Sequence, residues 1–153
     1  MTKTAQSIYD DAPLGARIRY SDGTPRPPER FTRKVRAWES RNGGGRLTQL
    51  SPAGTGSHPY PATFTLHEAD YGSEDVIVLS VNKMFAVTDQ RVFEIVDVPP
   101  PGAALVLQEW NDQRELLHVA ADRAAAESWL DRHGYSRALV EIVGEAETAI
   151  KAA

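Results

Sequence analysis

Residues 24–47 read TPRPPERFTRKVRAWESRNGGGRL, and this stretch combines strong local structural signals with the strongest charge bias in the chain. Phe31, Val35 and Trp38 recur at a spacing that places all three side chains on one side of a helix. The basic side chains fall outside that sector. The pattern predicts a helix over about residues 27–41, with its apolar side buried and its guanidinium groups in water.

Separate signals mark the two ends of this helix. Pro28 suits the first turn, where a missing N–H breaks no intrahelical hydrogen bond, and the helix dipole favours Glu29 beside it. The run NGGG at 42–45 predicts a left-handed stop followed by a flexible exit. A strand over residues 31–37 is the competing interpretation, because alternation is also visible there, although Trp38 falls on the wrong parity.

Charge is segregated along the chain. Residues 14–47 hold nine basic and three acidic residues, a net charge of +6. The whole chain has 17 basic and 21 acidic residues, so the remainder holds eight and eighteen, a net charge of −10. Such a dipole can steer a polyanion towards one end of the molecule, or serve a contact with another protein.

Composition indicates a single globular domain, with 41% hydrophobic and 25% charged residues among 153. The absence of cysteine excludes disulfides, thiolate nucleophiles and cysteine-ligated zinc. No run of about 18 apolar residues occurs, and the amino end lacks an apolar segment. The sequence therefore predicts a cytoplasmic protein with neither a signal peptide nor a membrane span.

The pattern of turns and apolar runs predicts an α+β fold. We expect a loose segment at 1–13, one domain at 14–144 and a tail at 145–153. The domain would contain a mainly antiparallel sheet of about seven strands and two packed helices, at about 27–41 and 122–133. Asp122 and Gly134 are the expected caps of the second helix, on which Trp129 would face inward.

Sites for catalysis or metal binding are not predicted. The four histidines, 58, 67, 118 and 133, lack the local spacing of metal ligands, and no elbow motif presents a serine nucleophile. Gly43–Gly45 precedes neither a lysine–serine pair nor a helix, so it does not match a phosphate-binding loop. We therefore expect no catalytic residues, no metal and no cofactor, and an enzyme is the least favoured function.

The basic segment is the best candidate for a binding surface. Arginine greatly outnumbers lysine in it, and guanidinium groups suit bidentate contact with phosphate. The sequence thus predicts a non-catalytic accessory or regulatory protein that contacts nucleic acid with little reading of base identity. The residues expected to do so are Arg17, Arg19, Arg30, Arg33, Lys34, Arg36, Arg41 and Arg46.

Two alternatives stay open at this point. The arginines of the helix can instead pair with carboxylates of the acidic remainder. The protein can also act as a small acidic inhibitor or adaptor that binds another protein through Glu109, Trp110, Asp112 and Glu115, where Trp110 is expected to be partly exposed beside a turn.

Overall fold

The computed structural model describes residues 2–73, 76–110, 113–135 and 137–144, with side chains described except at 70–79. Within these ranges the chain forms eight strands and three helices. The strands are β1 (Arg17–Ser21), β2 (Gly43–Ser51), β3 (Thr63–Ser73), β4 (Val76–Ala86), β5 (Val92–Asp97), β6 (Ala104–Trp110), β7 (Gln113–Ala120) and β8 (Ala138–Ile142). The helices are α1 (Ala5–Asp11), α2 (Thr32–Arg41) and α3 (Arg123–His133). The predicted α+β class is confirmed.

The strands join one antiparallel sheet that forks at β2. The main path runs in the order β4-β3-β2-β7-β6-β8, while β1 pairs with β2 and with β5. The first part of β2 pairs with β1, and farther along the strand Gln49 pairs with Glu115 of β7. Strands β1 and β7 therefore take successive parts of the same edge of β2, which gives the sheet two branches.

Each branch has its own hydrophobic core. The first core lies under β1, β2, β3 and β5 and contains the fully buried Tyr20, Phe64 and Phe93. Their aromatic rings and that of Phe85 lie 4.8–6.4 Å apart. The second core lies between α3 and strands β6 and β8, around Val106 and Ala126. Helix α2 contributes to neither core among the described residues.

The amino-terminal segment differs from the loose peptide expected at 1–13. Helix α1 buries Ala5 and Ile8 completely in the first core. Lys3 exchanges two backbone hydrogen bonds with Phe93, at 2.6 and 2.8 Å. The Thr4 side chain caps α1 by accepting from the Ser7 backbone N–H. Two apolar side chains in a polar stretch are enough to dock it, since tertiary burial outweighs composition.

Helix α2 is shorter than expected at its start. It begins at Thr32 rather than near 27, and the prolines that precede it lie in irregular structure. A residue before proline is disfavoured in helical geometry, so Pro27 and Pro28 delay the first turn. The competing strand interpretation of residues 31–37 is wrong.

The glycine run also differs from the expected flexible exit, because Asn42 is extended and Gly43 begins β2. A Cβ on Gly44 would lie 2.7 Å from the carbonyl oxygen of Ile18, and one on Gly45 would lie 2.6 Å from that of His67. Backbone from two neighbouring strands therefore occupies the space that side chains would need. Glycine allows this close approach within the sheet.

Among the described residues, every helix falls short of the length and apolar character that a membrane crossing requires.

Candidate nucleic-acid interface

Strand β1 has one apolar side and one basic side. Ile18 and Tyr20 are buried in the first core, whereas Arg17 and Arg19 are exposed on the opposite side. Directly paired residues share a side of a sheet, so Arg46 of β2 lies on the same side as Arg17, and His67 of β3 lies beside Arg46. We call this side, which bears Arg17, Arg19, Arg46 and His67, the outer face.

A groove of about 420 Å³ lies on the outer face between β1, β2 and helix α2. Its sides include Arg17, Arg19 and Trp38, and Gly43–Gly45 line it without side chains. We call it the glycine groove. The glycines that permit close strand packing also leave backbone exposed where a ligand can approach.

Polar contacts hold α2 beside this groove. The Trp38 indole Nε1 donates to the Thr24 carbonyl at 2.9 Å, and the Asn42 amide donates to the Trp38 carbonyl at 2.9 Å. Asn42 also accepts from the Ser21 hydroxyl at 2.8 Å, which ties the end of α2 to β1. Lys83 of β4 donates to the Ser40 carbonyl at 3.0 Å.

A charged cluster beneath the groove reinforces this attachment. The buried Tyr20 hydroxyl donates to the Glu68 carboxylate and accepts from Lys83 Nζ at 2.9 Å. Burial, followed by the hydrogen bond to Glu68, raises the pKa of the Tyr20 phenol above its ordinary range. The same lysine reaches α2, so the cluster links the core, strand β4 and the helix. Sequence reasoning missed it because its members are far apart in the chain.

The helix presents unpaired guanidinium groups to water. Arg33 and Arg36 are exposed, and within the described part of the chain neither forms an ion pair. Arg30 and Lys34 lie over the Phe31 ring, at 4.8 and 5.0 Å from its centre. These contacts orient the two cations but leave their charges uncompensated.

Other predicted basic residues are engaged with carboxylates. Arg41 Nε donates to Asp22 at 2.8 Å, and Arg19 lies 3.6 Å from Glu94. The Thr24 hydroxyl and backbone N–H, followed by Arg41, hold the pKa of the Asp22 carboxyl well below its usual range. Internal pairing, the alternative weighed from sequence, therefore applies to part of the predicted set.

Arg46 is the cross-strand neighbour of Arg17, but it is less exposed than the other predicted basic residues. Its guanidinium is half-buried and donates to the Gly15 carbonyl at 2.9 Å. Burial lowers the pKa of this group, and the nearby charge of Arg17 lowers it further. Arg46 lines a second cavity, which also contains His67, His118 and His133. Sequence spacing gave no sign of this grouping, because strand register and the docking of α3 bring the residues together.

The alternative protein interface has a mixed charge. Trp110 is 63% exposed, as expected. The guanidinium carbon of Arg137 lies over its ring, 5.5 Å from the ring centre. Glu109 lies 3.4 Å from Arg114, whereas Glu115 lines the second cavity, away from this pair. Asp112 lies outside the described residues. Groups of both charges therefore lie near Trp110.

No group of three or more histidine, cysteine, aspartate or glutamate side chains is arranged to hold a metal ion in the part of the chain that the structure describes.

These features define a small α+β protein with a forked antiparallel sheet, a basic helix and a groove on the outer face. The chain belongs to the family described as "Uncharacterised conserved protein UCP036055", whose family model matches residues 3–147. Neither the curated proteins nor the solved structures include a match to this chain.

Proposed function

We propose that this protein is a non-catalytic binding protein that contacts single-stranded nucleic acid through helix α2 and the glycine groove. The observation that carries the proposal is the position of the unpaired Arg33 and Arg36 on a helix that borders a groove containing Trp38. Phosphate contacts from arginine supply affinity without sequence information.

The groove favours a single strand over a duplex. Bases of a single strand can stack on an aromatic side chain, and Trp38 is half-buried on the wall of the glycine groove. Arg17 and Arg19 line the same groove, and Arg19 lies there 3.6 Å from Glu94. Gly43–Gly45 line the groove and place no side chain in it.

The proposal can be tested by the anisotropy of a labelled oligothymidylate and a labelled oligouridylate, with a duplex of the same length for comparison. We expect binding that weakens steeply with salt, and a double substitution R33E/R36E that weakens it about tenfold or more. Both substitutions fall on exposed side chains, so the fold should be retained.

The matched control is R123E/R137E, which makes the same change of charge at two other exposed arginines. We expect it to change affinity by about twofold or less, because long-range charge effects are screened by salt. Equal losses in the two variants would mean that only net charge matters, and undiminished binding by R33E/R36E would exclude α2 as the contact surface.

One observation favours a protein partner as the second candidate, namely the exposed Trp110 at the end of the β6–β7 hairpin. Exposed tryptophan is typical of interface anchors. Capture of a defined basic protein that is lost in W110A but retained in R33E/R36E, with no binding of either oligonucleotide, would favour this function over the first.

A further inference from the structure

A second cavity lies on the outer face beside helix α3. It has a volume of about 380 Å³ and lies between strands β2, β3, β4 and β7 and the helix. This size is within the range of pockets that hold small molecules. Its polar lining includes Arg46, His67, His118 and His133, and we call it the histidine cavity.

Aromatic rings stacked on Trp129 form one wall of this cavity. The His118 ring lies 4.8 Å from the Trp129 ring, with an angle of 5° between their planes. The corresponding values for His133 are 4.0 Å and 12°, and for Tyr135 they are 5.6 Å and 4°. His133 Nδ1 also lies 2.8 Å from the Trp129 carbonyl oxygen. Stacking therefore fixes two imidazoles on the cavity wall.

Basic side chains converge on this wall. The pKa of His118 is lowered by burial first, and then by His133, Arg132 and Arg46. These three groups come from α3 and β2, and His67 adds a further imidazole from β3. Glu115 is the carboxylate among the lining residues that the structure describes, and its side chain is exposed. Among the described lining residues, Arg46 and the three protonatable imidazoles thus outnumber the carboxylate.

We propose that the histidine cavity binds a small anionic ligand, whose phosphate or carboxylate group lies between Arg46 and His118. Arg46 donates one hydrogen bond to the Gly15 carbonyl, whereas a guanidinium has five N–H donors in all. A phosphate or carboxylate accepts bidentate hydrogen bonds from arginine and stabilises protonated imidazoles. The proposal stands independently of nucleic-acid binding, because none of these residues belongs to α2.

The test uses NMR of the histidine imidazoles, of which the chain has only four. Inorganic phosphate, benzoate, adenosine 5′-monophosphate and adenosine would be added separately to the full-length protein. We expect saturable shifts of the His118 and His133 resonances with at least one of the three anions and none with uncharged adenosine. Comparison of phosphate with benzoate then identifies which acidic group the cavity prefers. His58 is exposed and does not line the cavity, so it is the internal control.

Arg46 provides the decisive variants. We expect R46Q to weaken the anion about tenfold and R46K to weaken it less, because lysine keeps the charge but loses the planar pair of donors. R123Q, at an exposed arginine that does not line the cavity, should leave the affinity unchanged. The backbone amide spectrum of each variant shows whether the fold is retained.

Three results would overturn the proposal: no saturable shift of His118 with any anion, equal shifts at His58, or unchanged affinity in a folded R46Q. Loss of oligonucleotide binding in R33E/R36E with anion binding retained would separate the two sites. Retained oligonucleotide binding without an anion response would remove the cavity proposal alone.

Discussion

Helices α2 and α3 have similar lengths, 10 and 11 residues, but they are held to the sheet in different ways. Helix α3 buries Ala126 completely and packs Trp129 and Leu130 against the second core. Helix α2 buries only Val35, which retains 9% exposure, and belongs to neither core among the described residues. Apolar packing thus anchors α3, whereas hydrogen bonds and ion pairs anchor α2.

The ends of the two helices show the same contrast. In α3 the Asp122 side chain accepts from the Ala125 N–H at 2.8 Å, and Gly134 adopts the left-handed conformation with φ of 69°. In α2 the position before the first turn is Phe31, which is 40% exposed and makes no capping hydrogen bond. A helix with weak caps and little burial contributes little to stability. Four basic residues and one acidic residue give α2 a net charge of +3, whereas two basic and two acidic residues give α3 a net charge of zero. This difference is the basis of the binding role proposed for α2.

The largest effect is expected from truncating the tryptophan in each helix. W129A should lower the free energy of unfolding by about 3 kcal/mol, because it removes packing against the second core and three stacked rings. W38A should cost about 1 kcal/mol, chiefly the hydrogen bond to the Thr24 carbonyl. Urea unfolding followed by circular dichroism measures both. Equal costs would contradict the contrast between the helices.

The sequence predicted the parts of the fold that depend on local signals. Asp122 and Gly134 cap a helix whatever lies around it, and both predictions are confirmed. Local signals did not determine the structure of the glycine run at 43–45. Its glycines suit a mobile exit as well as a strand, and the decision depends on pairing with β1, some 25 positions earlier in the chain.

In the candidate site, too, local signals predicted some features, whereas others depend on tertiary contacts. Alternation along β1 correctly placed Arg17 and Arg19 opposite the buried Ile18 and Tyr20. Arg46 was predicted to lie with them, but the sequence could not show that a carbonyl at Gly15 would bind its guanidinium. The histidine cavity was not predicted, since it depends on how α3 docks against the sheet and on the register of β2, β3, β4 and β7.

The free energy of unfolding should depend on pH through His118, which stacks on Trp129 of α3. The pKa of His118 is lowered from its ordinary value of 6.5, so the folded state favours the neutral ring and the unfolded state binds more protons. This contribution to stability is present above pH 6.5 and is lost as the pH falls below it. Because the ring is only partly buried, screening keeps the loss of stability small as the pH falls from about 7.5 to about 5.

H118F is the matched variant for this prediction, because phenylalanine can keep the stacking on Trp129 but does not titrate. Urea unfolding at several pH values, in buffer without phosphate, should show a shallower dependence for H118F than for the natural chain. The same slope in both proteins would show that the pKa of His118 does not differ between the folded and the unfolded state.

The smallest effect is expected from releasing one arginine of α2 from its internal partner. D22N removes the charge that holds Arg41, yet an asparagine side-chain oxygen can still accept from the Thr24 N–H. If Arg41 then contacts a phosphate, affinity for the oligonucleotide should rise about 1.5-fold to twofold at moderate salt. The slope of log K against log salt concentration should steepen by about 0.7.

The control D10N makes the same change of charge on α1, where the carboxylate accepts from Gln6 and pairs with no arginine among the described residues. A gain of the same size in D10N would mean that net charge, rather than a freed Arg41, raises the affinity, and α2 would then act only through the arginines that are already unpaired.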